Sequence, residues 1–121
     1  MKPKVFLREL DNKMAMVSAD WLEEEIASNR DVVIIDLRGA NKVNEQRITG
    51  SIQCNIQELP DKLPSLVSSK KNCIVMVCNG SIQSAMAVMY LRCEGYANSY
   101  NLSGGFSSWL RNGRKIVGSL R

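Results

Sequence analysis

The feature that most constrains this fold is a change of hydrophobic period within residues 73–95. Ile74 to Val77 is a short apolar run rich in β-branched residues, which is typical of a strand buried on both faces of a parallel sheet. From Ile82 onward, apolar residues recur every three or four positions, which predicts a helix that buries this face and ends at Gly95. The apolar positions are Ile82, Ala85, Met86, Met89, Tyr90 and Cys93. Cys78 therefore lies where a strand ends and a loop leads into a helix.

Similar apolar runs elsewhere predict further strands and helices in alternation. We expect strands within residues 15–17, 31–37, 51–56 and 99–102. Helices are expected after the N-cap Ser18, within residues 59–67 in short pieces limited by Pro60 and Pro64, and around Trp109. Residues 40–50 are polar and are predicted to be irregular. This alternation indicates an α/β fold, with a mostly parallel central sheet of about five strands and helices on both faces.

The length of 121 residues fits one domain, which we place at residues 14–116. Residues 1–13 form an N-terminal extension, a short strand or a frayed segment, and residues 117–121 form a C-terminal tail. Neither a membrane-spanning run nor a signal-peptide pattern is present, so we expect a cytoplasmic protein that does not bind membranes.

Charge and cysteine spacing exclude several kinds of site. The net charge of +4 is carried entirely by the residues that follow Glu94. This basic end is either simply solvated or binds an acidic partner. Basic residues are not interleaved with aromatic residues, so nucleic-acid binding is not expected. The four cysteines form no Cys-x-x-Cys pair and there is no histidine, so we expect no metal, no cofactor and no disulfide scaffold. Cys73 and Cys93 fit the role of small core residues.

Cys78 is the candidate nucleophile. Ligands of open α/β sheets bind beyond the carboxyl ends of strands, and here a helix N-terminus follows. Free N–H groups and the helix dipole favour an anion there, so they should lower the pKa of the thiol and make it reactive. The loop residues expected to bind substrate are Asn79, Gly80, Ser81, Ile82, Gln83 and Ser84. The alternative is that Cys78 is one more buried core cysteine.

The order of several motifs resembles a rhodanese domain. Cys78 to Ser84, followed by Gly95-Tyr96, Leu102-Ser-Gly-Gly-Phe106 and Trp109, resembles its catalytic loop and its Leu-x-Gly-Gly…Trp signature. Asp36-Leu37-Arg38 resembles the Asp-x-Arg motif of the family, and residues 48–52 resemble its Gly-His-Ile-x-Gly-Ala segment in part. The match extends over roughly residues 15–116, so the resemblance implies a rhodanese-like fold for nearly the whole chain.

The resemblance implies a sulfurtransferase. Cys78 would take sulfane sulfur from thiosulfate or from a persulfide or polysulfide, and a thiol, a protein or another nucleophile would remove it. The loop N–H groups would stabilise the terminal sulfur. Ser81 and Ser84 would bond to the persulfide or cap the helix, with capping favoured for Ser84. Asp36 and Arg38 would bond to each other or to the loop backbone, and Gly104 and Gly105 would allow a close approach or a positive φ.

Two departures from the family pattern affect the expected activity. Many rhodaneses have a Cys-x-x-Gly-x-Arg-Ser loop, but this chain has Ser81 in place of the glycine and Gln83 in place of the arginine. Losing that charged donor predicts weak activity on thiosulfate, unless Arg38 or Arg47 supplies positive charge from elsewhere. The alternative function is a catalytically weak or inactive module that binds or regulates a partner. A related phosphatase activity is disfavoured, because such loops are longer and end in an arginine.

Overall fold

The computed structural model describes residues 2–9 and 15–118. The helices are α1 (Pro3–Glu9), α2 (Ala19–Ala27), α3 (Ala40–Glu45), α4 (Leu59–Leu66), α5 (Ile82–Cys93) and α6 (Gly105–Arg111). The strands are β1 (Met16–Val17), β2 (Val32–Asp36), β3 (Gln46–Ile48), β4 (Ile52–Gln53), β5 (Cys73–Val77), β6 (Ser99–Leu102) and β7 (Ile116–Gly118). A 3₁₀ turn, Ile56–Glu58, precedes α4.

Within the described residues, the main sheet has five parallel strands in the order β1-β6-β5-β2-β4. The central strand β5 pairs with β2 along its whole length, so that Val77 lies opposite Asp36. On its other side, Met76 lies opposite Asn101 of β6. This register brings the carboxyl ends of three strands together at one edge and confirms the predicted α/β sheet.

The side chains of β5 alternate between two apolar cores, which explains its continuous apolar sequence. Ile74 and Met76 pack on the core beneath α4 and α5. Val75 and Val77 pack on the core beneath α2 and α6, where Trp109 is buried. Helices therefore cover both faces of the sheet, as the sequence predicts.

The predicted helix ends are also found. The Trp21 amide donates to the Ser18 side chain at 3.0 Å, so Ser18 is the N-cap of α2. Asn29 has a φ of +53° just beyond the end of α2. Gly95 follows α5 with a φ of +97° and Gly113 follows α6 with a φ of +66°, a backbone region that favours glycine.

The prediction of which face of α5 is buried is wrong. The described buried residues of α5 include Ala87, Val88 and Leu91, whereas Ile82 is 78% exposed and Met86 is 54% exposed. The helix carries apolar residues on two faces, and the period of the pattern does not identify the face that meets the sheet. Cys73 and Cys93, both expected to be small core residues, are each half-buried.

The region between β2 and α4 also differs from the prediction. Residues 40–48 form α3 and β3 instead of an irregular loop, and β3 pairs with β7 in an antiparallel ribbon. This pairing links positions far apart in sequence, so no local pattern reveals it. β7 also includes two residues, 117 and 118, that are predicted from the sequence to belong to the C-terminal tail. The strand predicted within residues 51–56 is shorter in the structure, where β4 covers only Ile52–Gln53 and the 3₁₀ turn begins at Ile56.

Two further elements depart from expectation. The N-terminal extension forms α1, which packs against α5, while residues 10–13 lie outside the described residues. α4 runs unbroken through Pro64. No helix in the described part of the chain is long and apolar enough to cross a membrane.

Candidate active site

A pocket of about 750 Å³ opens at the carboxyl edge of the sheet. It is lined by the loop between β5 and α5, by the segment after β2 and by the 3₁₀ turn. Its lining residues are Leu37, Arg38, Gly39, Lys42, Asn55, Ile56, Gln57, Cys78, Asn79, Gly80, Ser81, Ile82 and Gln83. Two of these residues are cationic and none is acidic, so the pocket suits an anionic ligand.

Cys78 is a free thiol that is 6% exposed and forms part of this pocket. Its Sγ lies 3.2 Å from Ser84 Oγ, and the Ser84 hydroxyl donates to Asn101 Oδ1 at 2.5 Å. Asn101 Nδ2 in turn donates to the Ser81 carbonyl at 3.1 Å. A buried hydrogen-bonded chain therefore connects the thiol to strand β6.

This chain of bonds corrects the predicted role of Ser84. Ser84 is fully buried and bonds to Cys78 and Asn101, so it does not cap the helix. The N-cap position of α5 is occupied by Ser81, which makes no side-chain capping bond. The amides of the first turn of α5 have no intrahelical acceptor, because a helix leaves its first N–H groups unpaired.

The start of α6 holds the loop after Cys78 in place. Phe106 N donates to the Cys78 carbonyl at 2.8 Å, and Ser107 N donates to the Asn79 carbonyl at 3.0 Å. In a trans peptide the next N–H points away from the carbonyl, so the amides of Asn79 and Gly80 point away from α6. Amides with this direction are available to an anion near Cys78.

Gly105 allows this close approach. Its φ is +60°, and a Cβ there would overlap the Gly80 carbonyl oxygen and lie 2.6 Å from the carbonyl oxygens of Cys78 and Asn79. Both predicted uses of glycine, positive φ and close backbone contact, are found at this residue.

Asp36 and Arg38 form a buried ion pair beside the pocket. Arg38 Nη2 lies 2.8 Å from Asp36 Oδ2, and the two side chains are 5% and 0% exposed. The same nitrogen donates to the Gln46 carbonyl at 2.7 Å, and the guanidinium lies 3.6 Å from the centre of the Phe106 ring. The mutual bonding is one of the predicted alternatives, and it fixes the charge of Arg38 within the protein.

The remaining predicted residues are not all brought together. Gln83 is exposed and lines the pocket, but Arg47 lies on β3 opposite Val117 and outside the pocket lining. Arg47 is therefore not placed to contact a ligand bound among the lining residues. The sequence predictions missed Lys42, which lines the pocket from α3. Its place at the pocket depends on α3, and the sequence predicts residues 40–50 to be irregular.

Other thiols sit in different surroundings. Burial raises the pKa of Cys54, which is fully buried. Burial, with Glu25 nearby, also raises the pKa of Cys73. Among the described residues, no group of three or more His, Cys, Asp and Glu side chains is placed to hold a metal ion.

Comparison with known proteins identifies, over most of the chain, the family that the sequence motifs resemble. Residues 18–112 match the model of the rhodanese-like domain. The thiosulfate sulfurtransferase GlpE of Shewanella oneidensis is 31% identical over 85 residues, which cover 70% of this chain and 82% of that protein. A tRNA uridine(34) hydroxylase of Anaplasma marginale is 30% identical over 100 residues, which cover 78% of this chain. This chain spans only 35% of the length of that hydroxylase.

Solved structures share the fold. A rhodanese-like domain protein of Staphylococcus aureus has a TM-score of 0.71 at 27% identity, over 79% of this chain and 91% of its own. A thiosulfate sulfurtransferase of Pseudomonas aeruginosa has a TM-score of 0.80 over 98% of this chain and 23% of its own, and at 21% identity it supports the fold alone. The family match, the parallel sheet and the cysteine loop held against α6 agree, and the chain belongs to the rhodanese-like domain family.

Proposed function

We propose that this protein is a sulfurtransferase that carries sulfane sulfur as a persulfide on Cys78. The observation that carries the proposal is the placement of a free thiol in a pocket lined by cations and by a helix N-terminus. The named activity of a relative, thiosulfate sulfurtransferase, is consistent with this chemistry.

The proposed reaction has two displacement steps. The Cys78 thiolate attacks the outer sulfur of thiosulfate, a bond forms between the two sulfurs, and sulfite leaves with the electron pair of the broken S–S bond. A second thiolate then attacks the outer sulfur of the persulfide, and Cys78 leaves as a thiolate. Charge and atoms balance in both steps without an external oxidant or reductant. The free amides of the loop stabilise the anionic terminal sulfur.

Ser84 and Asn101 position the reacting sulfur in this proposal. A hydroxyl has one proton, and Ser84 gives it to Asn101, so the Ser84 oxygen accepts the S–H of the resting thiol. When Cys78 is ionised, the same proton can turn towards the sulfur. That turn breaks the bond from the Ser84 hydroxyl to Asn101 Oδ1, while Asn101 itself stays fixed because its Nδ2 donates to the Ser81 carbonyl.

Lys42 is the cation proposed to attract the anionic donor. Arg38 is engaged with Asp36 and with Gln46, whereas the exposed Lys42 lines the pocket directly. A lysine is a flexible point charge and lacks the paired donors of an arginine. Without a loop arginine, thiosulfate loses a charge-assisted bond worth ~1.5–3 kcal/mol, so we expect binding roughly 10- to 100-fold weaker.

Gln83 supports one alternative, a rhodanese-like module that binds a partner without catalysis. Gln83 stands in the pocket where the resemblance places a charged donor. The two proposals differ in one observable, because a binding module needs no sulfur on Cys78.

The deciding experiment is intact-protein mass spectrometry after incubation with thiosulfate or a polysulfide. We expect one added sulfur atom in wild type, its removal by cyanide as thiocyanate, and no addition in Cys78→Ser. The matched control Cys54→Ser should still be loaded. Folded protein that gains no sulfur from any donor would refute the enzyme proposal and leave the binding module.

A further inference from the structure

The outer face of α5 exposes an apolar stripe that starts at the pocket. Ile82, Met86 and Met89 follow one another at spacings of four and three, and they are 78%, 54% and 39% exposed. Ile82 also lines the pocket that contains Cys78. The stripe is therefore continuous with the proposed site of sulfur transfer.

This stripe is not needed to attach α5 to the sheet. The opposite face already buries Ala87, Val88 and Leu91. Large apolar side chains grouped on a surface commonly mark a binding site, and methionine adapts easily to a partner surface. Helix α1 packs against α5 and adds exposed apolar side chains, with Val5 39% and Leu7 62% exposed.

The charges around the stripe indicate what it binds. Lys2, Lys4 and Arg8 are exposed on or next to α1. Residues 2–9 carry three cations against one acid, Glu9, which is a net charge of +2, and α5 contains no acid before its C-cap Glu94. A second copy of this chain would bring cations against cations, whereas an acidic partner would complement them.

We propose that the outer face of α5, together with α1, docks an acidic protein segment whose thiol exchanges sulfur with Cys78. The inference rests on the proposed function, because it makes this segment the sulfur acceptor. The acceptor thiolate attacks the outer sulfur of the Cys78 persulfide, the bond between the two sulfurs breaks, and Cys78 leaves as a thiolate. Apolar residues of the segment cover the stripe, and its carboxylates face the cations of α1.

The test uses two synthetic peptides that end in cysteine. Both carry leucines at helical spacing, and the residues between them are glutamates in one peptide and lysines in the other. Binding is measured by fluorescence anisotropy, and sulfur transfer by the mass of the peptide persulfide, with glutathione as a small acceptor. We expect the acidic peptide to bind at least about tenfold more tightly than the basic one.

Substitutions on α5 and α1, with a control on α6, test where the acidic peptide binds. Met86→Asp/Met89→Asp should weaken binding of the acidic peptide about tenfold or more, as for central interface side chains, while transfer to glutathione is unchanged. Leu110→Asp is the matched control, because Leu110 on α6 is 39% exposed, the same as Met89. Lys4→Glu/Arg8→Glu tests the charges without touching the stripe, and it too should weaken binding.

Several outcomes overturn the proposal. Equal binding of both peptides, or binding unchanged by the methionine variants, would do so. Cosedimentation with phosphatidylserine vesicles that needs Met86 and Met89, without acidic-peptide binding, would assign the stripe to a lipid surface. A dimer that these variants dissociate would assign it to self-association. If Cys78 gains no sulfur but the acidic peptide still binds through the stripe, the docking surface stands and the enzyme proposal fails.

Discussion

Cys54 and Cys78 occupy similar places in the fold but different chemical surroundings. Each directly follows a parallel strand at the same edge of the sheet, on either side of β2. Their exposed fractions are 0% and 6%. Cys54 Sγ donates to the Asn55 carbonyl at 3.5 Å, and the chain then enters the 3₁₀ turn. Cys78 is followed instead by a loop with free amides and by the N-terminus of α5.

The difference shows that a position at the end of a strand does not by itself determine the surroundings of a thiol. The charged neighbours of Cys54 largely cancel, since Lys62 and Glu58 form an ion pair of 2.7 Å, and burial then raises its pKa. Cys78 lines a pocket with cations on its wall. The segment after the strand, and the contacts that hold that segment, therefore decide the chemistry of the thiol.

The largest effect should come from removing the support of the Cys78 loop. Gly105→Ala places a Cβ against three carbonyl oxygens of residues 78–80 at a positive φ. We expect the free energy of unfolding to fall by more than about 4 kcal/mol, or the loop to move and sulfur loading to fail. Urea unfolding measures the stability and persulfide yield measures the loading; unchanged stability together with unchanged loading would contradict this expectation.

Gly113→Ala is the control for that change. Gly113 has a similar φ of +66°, but a Cβ there meets nothing within 4 Å. It should cost about 1–2 kcal/mol of backbone strain and leave sulfur loading intact. Equal effects of the two substitutions would show that contact between α6 and the loop is unimportant.

The sequence predicts much of this arrangement, because strong local patterns specify it. The β-branched run of β5, the N-cap Ser18 and the terminal glycines act over a few residues, and each is found where expected. The orientation of α5 could not be predicted in the same way. Its two apolar faces have similar periods, and the sheet buries the face that holds Ser84 beneath Cys78.

The site is less predictable than the fold for a related reason. Lys42 reaches the pocket through α3, whose only described buried residue is Val43, so no apolar stripe indicates the helix. Asn101 reaches Ser84 through the pairing of β6 with β5. Contacts set by strand register join positions far apart in the chain, and a single sequence carries no local signal for them.

The second prediction removes the chain of hydrogen bonds that runs from Cys78 through Ser84 to Asn101. Ser84→Ala and Asn101→Ala should each lower the rate of sulfur loading about 10- to 100-fold, because each loosens the position of the thiol. The double variant should be little worse than either single variant, since both belong to one network. Stopped-flow or timed mass measurements give the rates.

Asn112→Ala is the control for that network. Asn112 bonds to Ser108 at the surface and not to the pocket, so it should leave the rate unchanged. Strictly additive effects of the two network substitutions would mean that Ser84 and Asn101 act separately.

The third prediction concerns the cations at the pocket. Lys42→Gln should raise the KM for thiosulfate about tenfold, through the loss of one charged contact, with a smaller effect at high salt. Arg47→Gln should leave KM unchanged, because Arg47 lies outside the pocket lining. Gln83→Arg should lower KM by a similar factor. If Arg47→Gln and Lys42→Gln raise KM equally, the donor is attracted by overall charge and not by the pocket.

The smallest expected effect is a difference between Cys54 and Cys78 in the pH dependence of their alkylation. Burial raises the pKa of Cys54, so at neutral pH its thiolate fraction is below that of an ordinary thiol, and its alkylation should accelerate only at a higher pH than that of an ordinary thiol. Iodoacetamide labelling from about pH 7 to about pH 10, followed by peptide mass mapping, measures each site. Cys78, which lines the pocket, should label first, and Cys54 in a Cys78→Ser variant should keep its delayed profile. Rapid labelling of Cys54 at neutral pH would remove the contrast, because two strand-end thiols would then be equally reactive despite their different surroundings.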